Sequence, residues 1–323
     1  MKVVNVSPHV LMDLHSCETK AWTRHVKGFT SRGDAIKMIA GQGFHKAMEV
    51  YLDPDWQPQD ALTQSTRAES AALHFHEIYD DAFLRLAPEK LESSITPQNL
   101  DRVLQRWIQM HPPAMLPWVR VLAVEEAFVS RSWTLGDVQV NLIVRPDIVV
   151  EDRAGKVRWV DTKTTGWHIS DDTWKLALRL SLQTQLYSDA IVQKYGAEKA
   201  IYGGWVNAIE LRQLPSDPKR KCATHKVVYA ECGNEHAKAE FIECLTTEAK
   251  VAAAVRDAAE AAERFALHTT LVSDVTQLNV HGTSNNTCRF CPAADFCDSG
   301  RPVDALENFM VYEPYPVEVG RRA

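Results

Sequence analysis

The chain lacks any apolar run near the roughly 18 residues that a membrane-spanning helix needs, so a membrane partner is not expected. It also lacks a Gly-x4-Gly-Lys-[Ser/Thr] loop, which excludes a P-loop motor carried by the chain itself. No internal repeat or low-complexity tract divides it. Neither sign of charge dominates: 36 Lys and Arg against 42 Asp and Glu leave a net charge of −6. Any contact with a polyanion must therefore rest on local basic groups and bound cations. Cysteine is scarce, with seven in 323 residues. An odd number does not suit a secreted disulfide framework, and the opening Met1–Pro8 is broken by Asn5 and Pro8 before an apolar core develops. The chain thus reads as cytoplasmic, in a reducing compartment. Its 45% hydrophobic content allows one large core or two modest ones.

The few cysteines are unevenly placed. Cys288, Cys291 and Cys297 form a Cys-x2-Cys-x5-Cys run, and Cys17 stands near the opposite terminus. Three thiols in one turn-rich stretch make a poor disulfide framework but a good set of soft ligands, and a four-thiolate site needs its fourth from elsewhere. Both zinc and an iron-sulfur cluster accept four cysteines. Zinc ribbons usually bring two Cys-x2-Cys knuckles close in sequence, so a single knuckle completed from far away favours the cluster, with zinc and an unmetallated set as the alternatives. Cys222, Cys232 and Cys244 read as ordinary core or surface residues.

A second concentration of chemistry lies mid-chain. Val144–Val150 and Lys156–Lys163, separated by the turn Asp152-Arg153-Ala154-Gly155, read as a hairpin. The strand period of two places Val157, Trp159, Asp161 and Lys163 on one face, so an acid and a lysine emerge beyond two apolar anchors. Asp147, at the start of the neighbouring strand, is available to face them. Two carboxylates can hold one or two divalent cations that activate water against a phosphodiester, and a lysine can orient that water or stabilise the charge of the transition state. The plainer alternative is a solvated strand end with Asp147 as a turn residue.

Pro146-Asp147, a hairpin and then Asp161-Thr162-Lys163 resemble the PD-(D/E)xK nuclease superfamily, and the pattern is similar to its RecB-like branch. Two flanking motifs agree. Upstream, His45 and Glu49 lie four apart in Gly41–Leu52 and share a helical face. Downstream, Gln183 and Tyr187 match a Gln-x3-Tyr motif. With Ser7–Cys17, similar to the family's opening helix, and the terminal cysteines, the order of motifs resembles that of iron-sulfur members such as the CRISPR-associated RecB-like exonucleases and the AddB nuclease domain.

The resemblance implies an α/β fold, a restriction-endonuclease-like core whose mixed central sheet is flanked by helices. It implies one domain over residues 1–323, with a helical insertion over 53–120 and cluster-binding terminal segments at 1–25 and 268–323. Asp147, Asp161 and Lys163 are then catalytic, supported by Glu49. Mg2+ or Mn2+ is bound by His45, Asp147, Asp161 and the Thr162 carbonyl. Cys17, Cys288, Cys291 and Cys297 hold a 4Fe-4S cluster, and Gln183 and Tyr187 line the DNA side of the site. Trp167 and Trp174, just beyond the lysine, are placed to stack single-stranded bases or, equally, to pack on the sheet. Lys219-Arg220-Lys221 reads as a solvated loop in preference to a phosphate contact.

The periodicities predict helices over Asp34–Leu52, Ser65–Leu86, Pro97–Met110, Asp172–Tyr195 and Glu235–Ala266. They predict strands over Arg120–Arg131, Asp137–Val144, Asp147–Glu151, Lys156–Thr162 and Ala200–Asn207. The expected activity is a metal-dependent DNA exonuclease on single-stranded or frayed ends, leaving 5′-phosphates, with a helicase or a recombination or CRISPR-adaptation partner to open duplex. The rival is a non-cleaving iron-sulfur adaptor that grips DNA with a vestigial nuclease site. A cluster-based redox sensor is a more distant third. If the cysteines hold iron and sulfide, protein purified without oxygen is expected to be brown, and Cys291→Ala to lose colour and solubility together. Colourless protein with one equivalent of zinc would overturn this.

Overall fold

The computed structural model describes residues 1–31, 35–52, 61–84, 96–166, 168–211, 221, 226, 238–271, 291, 293, 296–297 and 310–312. Cys288, Trp167, Lys219, Arg220, Cys222 and Cys232 lie outside the described residues.

Strand β1 (Lys2–Val6) leads into helix α1 (Pro8–Ser16), where the Ser7 side chain caps by accepting from the Val10 N–H and Pro8 occupies the first turn. Cys17 ends α1 and precedes a short helix α2 (Glu18–Ala21), which runs into a π-helical turn, Trp22–Val26. Strand β2 (Phe29–Ser31) follows. Helices α3 (Ala35–Tyr51), α4 (Ala61–Leu84) and α5 (Pro97–Met110) come next, the last capped by Thr96. Then come strands β3 (Trp118–Val124), β4 (Phe128–Leu135), β5 (Val138–Val144), β6 (Ile148–Asp152) and β7 (Val157–Thr165). Helices α6 (Asp172–Leu180) and α7 (Leu182–Tyr195), strands β8 (Ala200–Glu210) and β9 (Lys238–Leu245), helix α8 (Glu248–Leu271) and strand β10 (Met310–Tyr312) complete the described elements.

A mixed sheet in the order β3-β6-β7-β8-β9 carries the site, with β7 and β8 parallel and the other neighbours antiparallel. Its two faces are apolar in alternation, as a strand buried on both sides requires. Ile148, Val150, Val160, Trp205 and Ile209 face the layer of α3, α4 and α5. Val149, Val157, Trp159, Val206 and Ala208 face a layer built on α1, α7 and α8. A second sheet, β1-β5-β4, extends that layer through Val4, Val6, Val140 and Leu142. Strands β2 and β10 pair antiparallel, joining residues from near the two termini.

Helix α4 starts at Ala61 instead of Ser65, and β7 and β8 run on to Thr165 and Glu210; three further differences change the order of elements. The single strand over Arg120–Arg131 is two strands, β3 and β4, separated where Glu125 adopts a positive φ of 50°. The helix over Asp172–Tyr195 is α6 and α7, because Ser181 leaves the helical conformation and caps α7 by accepting from the Thr184 N–H. The helix expected from Glu235 begins only at Glu248, since Lys238–Leu245 is strand β9. Ile242 and Cys244 are buried while Glu243 and Leu245 are exposed, a period of two that the alanine stripe of α8 hides.

Gly204 on β8 lies opposite Trp159 on β7, whose buried indole N–H donates to Ser188 Oγ at 3.0 Å. A Cβ at 204 would overlap the Trp159 carbonyl oxygen and ring, backbone that cannot yield cheaply. Gly204→Ala is therefore expected to lower stability by about 1–3 kcal/mol, read as a fall in denaturation midpoint at unchanged slope.

Candidate active site

Asp147 lies in the short link between β5 and β6, and four elements converge on it. One Asp147 carboxylate oxygen, Oδ2, accepts from the Thr162 backbone N–H of β7 at 2.5 Å and lies 3.3 Å from His45 Nδ1 of α3. The Asp147 carbonyl accepts from the Glu125 N–H at 2.8 Å, which stitches the end of β3 to the start of β6. On β7, Lys163 Nζ is 2.9 Å from Asp161 Oδ2. The close approach of α3 to α4, which sets the height of His45, depends on Gly43, where a Cβ would meet the Phe75 ring at 2.8 Å.

Behind these groups the supports are polar and buried. Gln183 Nε2 donates to Tyr187 Oη at 2.8 Å and reaches Asp161 Oδ1 at 3.5 Å, while Tyr187 Oη donates to the Arg145 carbonyl at 3.1 Å. The Gln-x3-Tyr pair therefore braces Asp161 and the link that carries Asp147. On the other face of β7, Asn207 Nδ2 approaches Thr162 Oγ1 at 3.4 Å and Asn207 Oδ1 accepts from Trp107 Nε1 at 2.8 Å, so α5 helps to hold Thr162.

The electrostatics show an excess of acid. Burial tends to raise the Asp147 carboxyl, but the His45 and Lys163 charges and the Thr162 N–H outweigh it and hold it below the usual range. Asp161 is pushed up by burial and by the Asp147 charge, against the opposing pull of Lys163. Burial also lifts Glu125, with Asp147 adding to it and Arg145 opposing, to about 7. Burial acts to lower His45, yet Asp147 raises it to about 9. Three acids near one another with two of them raised form a place where a divalent cation is favourable. The donor chemistry fits: single ligand atoms of His45, Glu125 and Asp147 all lie within 4.8 Å of one another.

Most of the residues expected in the site come together. His45, Glu49, Asp147, Asp161, Thr162, Lys163, Gln183 and Tyr187 all line one cleft of about 670 Å³. Glu49 is paired with Lys46 at 2.9 Å. Trp174 packs against the main core and is not among the cleft-lining residues. Cys17 is buried, and Cys291 and Cys297 pack around Trp22 with Ala293 and Phe296. Glu125 was not anticipated. The available signal was an acidic pair, Glu125-Glu126, closing an apolar strand just before the Pro-Asp hairpin, but only the positive φ and the bond to Asp147 reveal which acid turns inward.

A carboxylate pair with a lysine on adjacent strands, and a histidine from a preceding helix, is one half of the case. The other is that a sequence model of the PD-(D/E)XK nuclease superfamily matches residues 5–298. The chain belongs to the PD-(D/E)XK nuclease superfamily. Comparison of this nuclease with curated proteins finds no match. A solved structure titled "Crystal structure of SSO0001" aligns over 83% of this chain and 98% of its own at 13% identity and a TM-score of 0.31, a likeness from which nothing further is drawn.

His45 supplies a pH test. Its folded-state value of about 9 against an ordinary 6.5 means that protonated His45 stabilises the metal-free nuclease fully below pH 6.5, and that this contribution is lost as pH rises through 9. With metal removed by EDTA, the melting temperature is expected to fall from pH 6.5 to 9, and to fall less in His45→Gln.

Proposed function

We propose that this nuclease is a RecB-like, metal-dependent DNA exonuclease that takes single-stranded or frayed ends and leaves 5′-phosphates and 3′-hydroxyls. The observation that carries the reading is Asp147 held between His45 and the Thr162 N–H, beside the Asp161–Lys163 pair, at the wall of an open cleft. Asp147, Asp161, His45 and the Thr162 carbonyl hold Mg2+ or Mn2+, with Glu125 as an added carboxylate. When bound, the cation lowers the pKa of a coordinated water and neutralises charge on the scissile phosphate. Lys163 orients that water and stabilises the negative charge that grows on the phosphate oxygens. Asp161 in turn fixes the ammonium, while Gln183 and Tyr187 keep Asp161 in place and the cleft wall closed to bulk water. Glu49 holds Lys46 at the rim and Trp167 stacks a base of the entering strand, whereas Trp174, packed on the main core, takes the structural role.

Cys17, Cys288, Cys291 and Cys297 hold a 4Fe-4S cluster that clamps the terminal segments. This reading is supported by the packing of Cys291 and Cys297 on Trp22, in the turn that follows Cys17. It is also supported by the buried Trp22 Nε1, which has no hydrogen-bond partner among the described residues and so could serve a sulfur acceptor. The nuclease acts in the cytoplasm, and a helicase or a recombination or CRISPR-adaptation partner supplies opened DNA.

Two substitutions separate catalysis from binding. Lys163→Ala leaves the carboxylates, so Mn2+ and DNA are expected to bind while cleavage of end-labelled strands falls by about two orders of magnitude or more. Asp161→Ala is expected to lose metal binding in calorimetry as well as cleavage. Wild-type cleavage by Lys163→Ala in both metals would return Asp161 and Lys163 to a solvated strand end and bring the adaptor reading forward.

A further inference from the structure

The N-terminal segment enters the cleft at a place the metal site does not use. Ser7 and His9, at the start of α1, and Arg24, in the π-helical turn, line the cleft together with Lys163. One turn along α1, the single carboxylate of Asp13 is shared by Lys20 at 2.6 Å, Arg24 at 3.2 Å and His25 at 2.9 Å. That clasp pins the π-helical turn to α1 and fixes where the Arg24 guanidinium sits. Among described residues, the groups that act most on His9 are Lys163, Arg24, Asp13 and His25, not the carboxylates of the metal site. Burial, then Lys163 and Arg24, lower His9 to about 4, so at neutral pH it is an uncharged imidazole at the cleft wall, able to donate one hydrogen bond.

An imidazole donor and a held guanidinium beside a lysine, at one end of the cleft, match the oxygens of a phosphate. We propose that His9 and Arg24 form a phosphate subsite beside Lys163, which takes the phosphate next to the scissile one on the bound strand. This rests on the nuclease reading above. Arg24 would make the charge-assisted contact and His9 the neutral one, setting the register of the strand so that the scissile phosphate meets Lys163.

The test is DNA binding by fluorescence anisotropy in Ca2+, using internally labelled single strands in which one methylphosphonate at a time removes a backbone charge, each made with a 5′-phosphate or a 5′-hydroxyl. Wild-type protein is expected to lose about tenfold in affinity at one position, the scale of one charge-assisted hydrogen bond. His9→Gln and Arg24→Gln are expected to bind the unmodified strand about tenfold more weakly and to lose nothing more at that same position. An effect that requires the 5′-phosphate would identify the ligand as a terminal phosphate; one that does not would identify an internal diester. Either supports the subsite. Full additivity of variant and methylphosphonate at every position, or unchanged affinity in His9→Gln, would overturn it. Because His9 forms no hydrogen bond or ion pair with Asp13 in this clasp, His9→Gln decides the matter even if Arg24→Gln fails to fold. Cleavage by the wild type in Mg2+ or Mn2+ without this coupling sinks the subsite alone, whereas wild-type protein that neither binds nor cuts DNA sinks the nuclease reading and the subsite with it.

Discussion

Burying two carboxylates side by side is the constraint around which the rest of this fold is arranged. Asp147 comes from the link that precedes β6 and Asp161 from the adjacent strand β7; Asp161 is buried and Asp147 half-buried at the cleft wall. Left alone, such a pair would neutralise or unfold its surroundings. Each element that packs near it supplies part of the compensation: α3 brings His45, β7 brings the Thr162 N–H and Lys163, and α7 brings Gln183. Compensation is partial, because Asp161 and Glu125 stay shifted toward the protonated form. A site that is fully satisfied without a cation would have little reason to bind one, and this one is not.

The two helical layers serve the same end. The layer of α3, α4 and α5 fills one face of the central sheet and the layer of α1, α7 and α8 fills the other, so β7 is clamped from both sides. Residues that alternate along β7 are thus anchored in different cores, with Trp159 in one and Val160 in the other. Small shifts of β7 would cost packing in both, which is how apolar contacts far from the chemistry hold Asp161 and Lys163 to a narrow geometry.

Much of this was legible in the sequence where one rule governs. Helix α5 has proline at its first turn and a strong amphipathic stripe, and its observed limits coincide with those expected. The hairpin of β6 and β7 announces itself by alternation around the turn Asp152-Arg153-Ala154-Gly155, and His45, Asp147, Asp161, Lys163, Gln183 and Tyr187 come together in one cleft. Legibility ends where two rules compete. Across Lys238–Leu245 the strand alternation runs into an alanine-rich helix, and helical periodicity extrapolated backward conceals it. At Glu125 nothing local requires a left-handed residue; the conformation, costing on the order of 1 kcal/mol, is imposed by the bond to Asp147. A charged residue held by tertiary contacts, such as Arg24, carries no period at all.

The pairing of Phe29–Ser31 with Met310–Tyr312 bears on how the molecule is made. Those strands are separated by almost the whole chain, so their contact closes a very long loop and must form late. On the ribosome, the central sheet and its carboxylates can assemble while the partner of β2 is still unsynthesised. The segment that carries the π-helical turn and Arg24, already tied to α1 by Asp13, gains its second support when β10 has emerged. Order of synthesis thus separates two events, formation of the metal-binding core and completion of its N-terminal wall, and the finished enzyme is distinguished from its precursors by the wall.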